Sequence, residues 1–130
     1  AVNDPGSAID VLNAQVRLIT RWSQARVSKP KVKFSCLYIQ APLASDLISD
    51  ALGPISRDGA DNVEVAIRIE KSLAALVDLG PEDLAKAART QADLSQERAS
   101  RLLTVPADRK LVSDAAPKTA AAGKGRRGSR

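Results

Sequence analysis

Prolines divide this sequence into segments whose apolar residues recur every three or four positions. Pro5 opens the first such segment, Pro30 and Pro42 bound a short intervening stretch, and Gly80-Pro81 separates two later segments. Proline fits the first turn of a helix but interrupts its interior, because it lacks the backbone N–H group and clashes with the preceding turn. The pattern therefore predicts several helices with boundaries marked by proline.

The helical spacing is clear in four segments. In the first of them, Ile9, Leu12, Val16 and Ile19 fall on one side of a helix. Gly53-Pro54 predicts the end of the second helix. The predicted helices span about residues 7–27, 42–52, 62–79 and 82–103.

The start of the third segment also fits a strand. Residues 63–69 alternate like a strand, whereas Val65, Ile69, Leu73 and Leu76 are spaced as in a helix. The length of the segment favours a helix, and so does the capping-box pattern of Asp61 with Glu64.

A strand is predicted between the first two helices. In KVKFSCLYI, residues 31–39, apolar Val32, Phe34 and Cys36 alternate with polar side chains. This is the period of a half-buried strand, so Cys36 is expected in the core rather than as a nucleophile.

The scarcity of aromatic residues, 2% of the chain, leaves leucine, isoleucine, valine and alanine to build the core. An alanine-rich core suits closely packed helices. We therefore expect a mainly α fold: a four-helix bundle-like domain over residues 1–106 with one short strand region. Residues 107–130 are expected to form an extension that ends in a disordered basic tail.

Charge is distributed unevenly along the chain. The net charge of +5 equals that of the C-terminal tail, which has five basic residues and no acidic one. The stretch 11–45 is purely basic, whereas residues 46–83 are mainly acidic. This pattern predicts an anionic polymer as partner, self-association into a homo-oligomer, or both, with neutralisation within the molecule as the alternative. The basic tail residues are Lys118, Lys124, Arg126, Arg127 and Arg130.

The residues of most catalytic and metal sites are missing. The chain has no histidine and a single cysteine. The acidic pair Glu82 and Asp83 stands where a helix start explains it. We therefore expect no enzyme activity, no catalytic residue, no cofactor, no metal and no small-molecule substrate.

Targeting signals are also missing from the sequence. It contains neither a signal-peptide pattern nor an apolar run of membrane-spanning length, and a single cysteine suits a reducing compartment. The expectation is a protein that is neither secreted nor in a membrane.

One DNA-binding fold matches part of the pattern. A strand with alternating polar residues, followed by two helices, resembles the ribbon-helix-helix family of dimeric DNA-binding proteins. The resemblance implies that Lys31, Lys33 and Ser35 face DNA.

A second resemblance covers more of the chain. Asp4-Pro5 precedes a helix that ends in Gln24-Ala25-Arg26, a later helix closes with Ala51-Leu52-Gly53, and Val65–Arg68 follows Arg57. This order of landmarks resembles the coat proteins of rod-shaped helical RNA plant viruses, the tobacco mosaic type.

That resemblance implies a virion subunit that packages RNA, rather than DNA, without reading its sequence. Arg26, Arg57 and Arg68 would contact phosphates, with Asp61 as an acid beside the RNA. A structural role is the alternative: Arg26 favours the dipole of a helix C-terminus, and Arg68 is placed to pair with Glu64. A helical adaptor that binds only protein is the third functional hypothesis.

Overall fold

The computed structural model describes residues 4–27, 36 and 40–118, and this part of the chain is mainly helical. Five helices follow one another, and the described residues contain no strand. The prediction of a mainly α fold is therefore confirmed. The helices are α1 (Pro5–Val27), α2 (Ala44–Asp58), α3 (Val63–Leu79), α4 (Glu82–Leu102) and α5 (Pro106–Ala115).

Helix α3 lies at the centre and packs against the other four helices. Asn13 of α1 contacts Arg68 near the start of α3, and Ser23 lies beside Leu79 at its end, so α1 and α3 run in the same direction. Helices α2 and α4 also run alongside each other in one direction, because Asp46 and Asp83 flank one groove at their starts.

Aliphatic side chains fill the core, as the composition predicts. The helices bury leucine, isoleucine and valine from α1, α2 and α3 against a face of α4 that is rich in alanine. Small side chains let α3 and α4 approach closely, which compensates for the lack of aromatic residues. The main cluster comprises Leu12, Ile19, Ala44, Ile48, Leu52, Val65, Ile69, Leu73, Leu76, Leu84, Ala88 and Ala92.

Helix α2 does not end at Gly53-Pro54 but continues to Asp58. Proline removes one backbone hydrogen bond from the helix interior, which costs about 3 kcal/mol. Ser56 is buried and Ile55 packs against the core, so tertiary contacts beyond the proline compensate for that local cost.

Helix α3 includes the segment that also fits a strand. Its N-cap is Asn62, whose Oδ1 accepts hydrogen bonds from the backbone N–H groups of Glu64 and Val65 at 3.0 and 3.1 Å. Asp61, the expected cap, lies one residue earlier in the preceding turn.

A fifth helix forms within the expected extension. α5 buries Val112 against Ala66 of α3 and against Ala99 and Leu103 at the end of α4. Its ten residues show too short a pattern for sequence analysis to detect, and one buried valine holds it in place.

The predicted strand 31–39 lies outside the described residues except for Cys36. Cys36 is in a turn and is exposed, so the prediction that it packs in the core is wrong. Residues 119–130 of the predicted disordered tail also lie outside the described part.

Candidate interaction surfaces

Arg26 is part of a contact between helices. Its Nη1 and Nη2 atoms donate hydrogen bonds of 2.8 and 2.9 Å to the two carboxylate oxygens of Asp83, in the first turn of α4. The guanidinium also lies over the Trp22 ring, 4.2 Å from its centroid. The paired hydrogen bond raises the pKa of Arg26 and lowers that of Asp83. This geometry occupies the forked donors that a phosphate would need.

Arg68 also links two helices. Its Nε and Nη2 atoms donate hydrogen bonds of 3.1 and 2.7 Å to Asn13 Oδ1 of α1. The expected alternative partner was Glu64, four residues earlier in α3, so the structural role is real but the partner differs. Arg68 helps to fix α1 along α3.

The four residues inferred to contact RNA do not form one cluster. Arg26 and Asn13, the α1 partner of Arg68, are separated by roughly 20 Å along the axis of α1. Arg57 is exposed in the last turn of α2, and Asp61 is exposed in the turn that follows. Arg57 has no hydrogen-bond or ion-pair partner within the described part of the chain.

The residues of the ribbon-helix-helix alternative, Lys31, Lys33 and Ser35, lie outside the described residues. The two helices that follow them, α2 and α3, pack their apolar faces against α1 and α4 of the same chain. Of the basic tail residues, Lys118 is described and exposed. Lys124, Arg126, Arg127 and Arg130 are outside the described part.

A buried carboxyl group lies between α3 and α4. Glu70 is 0% exposed, and neither of its oxygens has a hydrogen-bond partner. The pKa of Glu70 is raised to about 7, chiefly by burial; the nearby Ser95 hydroxyl lowers it and the Asp93 carboxylate raises it. The sequence does contain a signal for this buried group: Glu70 falls on the same face of a helix as the apolar residues Ala66 and Leu73.

A groove of about 540 Å³ lies between α2 and α4. Leu43 and Leu94 expose apolar surface along it, while Ile48 forms part of its floor. Gln91 also lines the groove: it is 4% exposed, and its Nε2 donor has no acceptor. The patterns considered in the sequence gave no indication of this groove, because it requires two helices distant in sequence.

Charges of opposite sign stand on the two walls of this α2–α4 groove. Asp46 is exposed on α2, and Lys86 is exposed on α4. The groove therefore presents apolar side chains and the charges of Asp46 and Lys86, while a third charged residue on its wall, Asp83, is paired with Arg26. These features suit a peptide segment.

Neither a metal cluster nor a membrane span is found in the part of the chain that the structure describes. No group of three or more potential metal-ligating residues comes together within residues 4–27, 36 and 40–118. No helix formed by the same residues is long and apolar enough to cross a lipid bilayer.

Comparison with curated proteins gives no match. Comparison with solved structures gives none either.

One family model matches residues 1–75, more than half of the chain. This family, DUF2254, is described as a predicted membrane protein. The match overturns the resemblance to plant-virus coat proteins and, with it, the expected capsid, virion and RNA-binding roles. The description of the family also means that the expectation of a protein outside membranes is not confirmed. The chain belongs to the DUF2254 family.

Proposed function

We propose that this chain is a non-enzymatic helical adaptor domain whose α2–α4 groove binds a helical segment of a partner protein. The groove is the observation that carries this proposal, because it joins exposed apolar side chains to charged residues on both walls. A helix that buries Leu43 and Leu94 would remove apolar surface from water.

The chemistry of the groove defines the partner segment. Apolar residues three or four positions apart would fill the space over Ile48, between Leu43 and Leu94. A basic residue beside Asp46 and an acidic residue beside Lys86 would orient the segment. Because the family is described as predicted membrane proteins, we expect this segment in a membrane protein complex.

Two of the three arginines that were expected to contact RNA support an adaptor rather than a phosphate-binding protein. Arg26 and Arg68 are engaged in contacts between helices, and those contacts leave few guanidinium donors for a nucleic acid. Specific contacts to a polyanion require several such groups on one surface.

Site-specific photocrosslinking in cells of the source organism tests the proposal. A photoreactive phenylalanine analogue at Ser49, in the groove, should give a discrete protein adduct. The same analogue at the exposed Lys110 of α5 is the matched control and should not give that adduct. Adding Leu94→Glu should reduce the adduct at Ser49 about tenfold, because it places a charge on the apolar wall.

Two results would contradict the adaptor function. One is an adduct that forms equally from both positions and ignores the Leu94→Glu change. The other is tight binding of labelled DNA or RNA, measured by fluorescence anisotropy, that weakens steeply as salt is added.

A further inference from the structure

Helix α1 carries apolar residues on two faces. Leu12 and Ile19 point into the core, whereas Val11 and Leu18 are 51% and 65% exposed. Ala14 lies between the latter two, at the spacing of three and four residues that defines one line along a helix. We call Val11, Ala14 and Leu18 the outer stripe. No other element among the described residues covers Val11 or Leu18.

Three charged residues flank the outer stripe on one side. Asp10, Arg17 and Arg21 are all exposed. None of them has an ion-pair partner in the described part of the chain, where the ion pairs are Arg26 with Asp83 and Arg101 with Glu97. The acid lies toward the start of α1 and the two bases lie toward its end.

This order of charges is complementary to itself in one orientation only. When two copies of α1 run antiparallel about a point between Ala14 and Gln15, Val11 of each copy faces Leu18 of the other. Asp10 then falls between Arg17 and Arg21 of the second copy, roughly 3 Å along the axis from each. In a parallel two-fold pair, the charged flanks of the two copies lie on opposite sides of the contact, so Asp10 does not reach Arg17 or Arg21 of the second copy.

We infer that the outer stripe of α1 binds a second copy of this chain in an antiparallel, two-fold symmetric helix pair. The apolar contact supplies the attraction, and the two symmetry-related sets of Asp10 with Arg17 and Arg21 set the orientation. A single pair of helices buries less area than a standard interface, so the dimer forms reversibly at high protein concentration. This surface is separate from the α2–α4 groove and does not depend on the adaptor proposal.

Sedimentation velocity of the full chain, from about 10 µM to about 1 mM, tests the inference. The wild-type chain should shift from monomer to dimer as its concentration rises. Leu18→Arg should weaken this association at least about tenfold, because it places a charge in the contact. Leu111→Arg, at a comparably exposed leucine of α5, is the control and should leave the association unchanged.

Charge reversal tests the orientation. One variant carries Asp10→Arg, and a second carries both Arg17→Asp and Arg21→Asp. Each variant on its own should dimerise more weakly, because like charges then face each other. Mixing these two variants should restore association as a mixed dimer, because every contact again joins opposite charges. Thermal unfolding followed by circular dichroism should show all variants folded, since these side chains are exposed.

Three outcomes would overturn the inference. The first is a wild-type chain that stays monomeric throughout the concentration range. The second is a dimer that Leu18→Arg does not affect, or a mixture of charge variants that does not associate. The third is binding of α1 to vesicles of anionic phosphatidylglycerol that requires Leu18 while the chain stays monomeric, which would make the stripe a membrane contact. Each outcome leaves the crosslinking result at Ser49 unchanged, so the two proposals fail separately.

Discussion

The guanidinium of Arg26 and the carboxylate of Asp83 form two parallel hydrogen bonds, of 2.8 and 2.9 Å, between the end of α1 and the start of α4. Each charge also has a favourable place on its own helix, since a base stands at a C-terminus and an acid stands at an N-terminus. One pair therefore stabilises two helix ends and holds them together.

Removing this pair should lower stability modestly. Both side chains stay partly exposed, at 31% and 52%, so solvent screens the interaction. Arg26→Ala should lower the free energy of unfolding by about 1 kcal/mol, and a double-mutant cycle with Asp83→Ala should give a coupling of about 0.5 to 1 kcal/mol. Urea denaturation measures both values. Arg57→Ala is the control, and an equal loss there would show that the pair contributes nothing specific.

The buried carboxyl group of Glu70 predicts a pH-dependent stability. Its pKa is raised from 4.5 to about 7 in the folded protein, so the folded state holds a proton that the unfolded state releases. The stabilising contribution of protonated Glu70 to the folded state is fully present below about pH 4.5 and is lost as the pH rises through about 7. Unfolding by urea should therefore become easier between about pH 5 and about pH 8, by up to about 3 kcal/mol.

Glu70→Gln isolates this effect, because glutamine keeps the shape but cannot ionise. The stability of the variant should not fall between about pH 5 and about pH 8. Above about pH 7, its free energy of unfolding should exceed that of the wild type. Asp93→Asn, a change on the exposed surface near Glu70, should leave most of the pH dependence in place. If the free energy of unfolding changed with pH in the same way for the wild type and for Glu70→Gln, Glu70 would not titrate in this range.

Two glycines of α2 and its C-cap should respond in opposite directions to alanine. A Cβ atom added at Gly53 meets only Arg57 Nη1, at an ordinary 3.5 Å, whereas one added at Gly59 would clash with Val65 Cγ1. Gly53→Ala should raise the free energy of unfolding by about 0.5 to 1 kcal/mol because alanine favours a helix. Gly59→Ala should lower it by more than about 1 kcal/mol, since the clash involves a buried valine. Thermal melts of both variants would refute this account if Gly59→Ala proved neutral.

How far the sequence predicts the structure depends on the range of the interactions. The first, third and fourth helices follow from local signals: the spacing of Leu12 and Ile19, and the punctuation at Gly80-Pro81. The course of α2 past Pro54 and the presence of α5 depend on contacts with residues distant in sequence, such as that of Val112 with Ala66. Patterns within a short stretch of sequence do not predict those contacts.

The candidate site was harder to predict than the helices. Residue type and order suggested that the arginines converge, but the partners Asp83 and Asn13 are more than 50 residues away in sequence. The α2–α4 groove has the same origin, because Leu43 and Leu94 come together only when α2 packs against α4. A functional surface made by packing leaves little trace in a single sequence.

Two residues compete as N-cap of α3: Asp61, which the sequence pattern predicts, and Asn62, which the structure shows. Mutating each of them distinguishes the two. The capping-box pattern places the cap at Asp61, whereas Asn62 Oδ1 receives both backbone hydrogen bonds. Asn62→Ala should therefore lower the free energy of unfolding by about 1 kcal/mol, because it leaves two N–H groups at the helix start without an acceptor. Asp61→Ala should change it by less than about 0.5 kcal/mol, because Asp61 is exposed. Asn62→Asp should retain most of the stability, since aspartate accepts the same bonds, and its carboxylate suits the N-terminal end of the helix dipole. A larger loss for Asp61→Ala than for Asn62→Ala, measured by urea denaturation, would move the helix start back to the position that the pattern predicts.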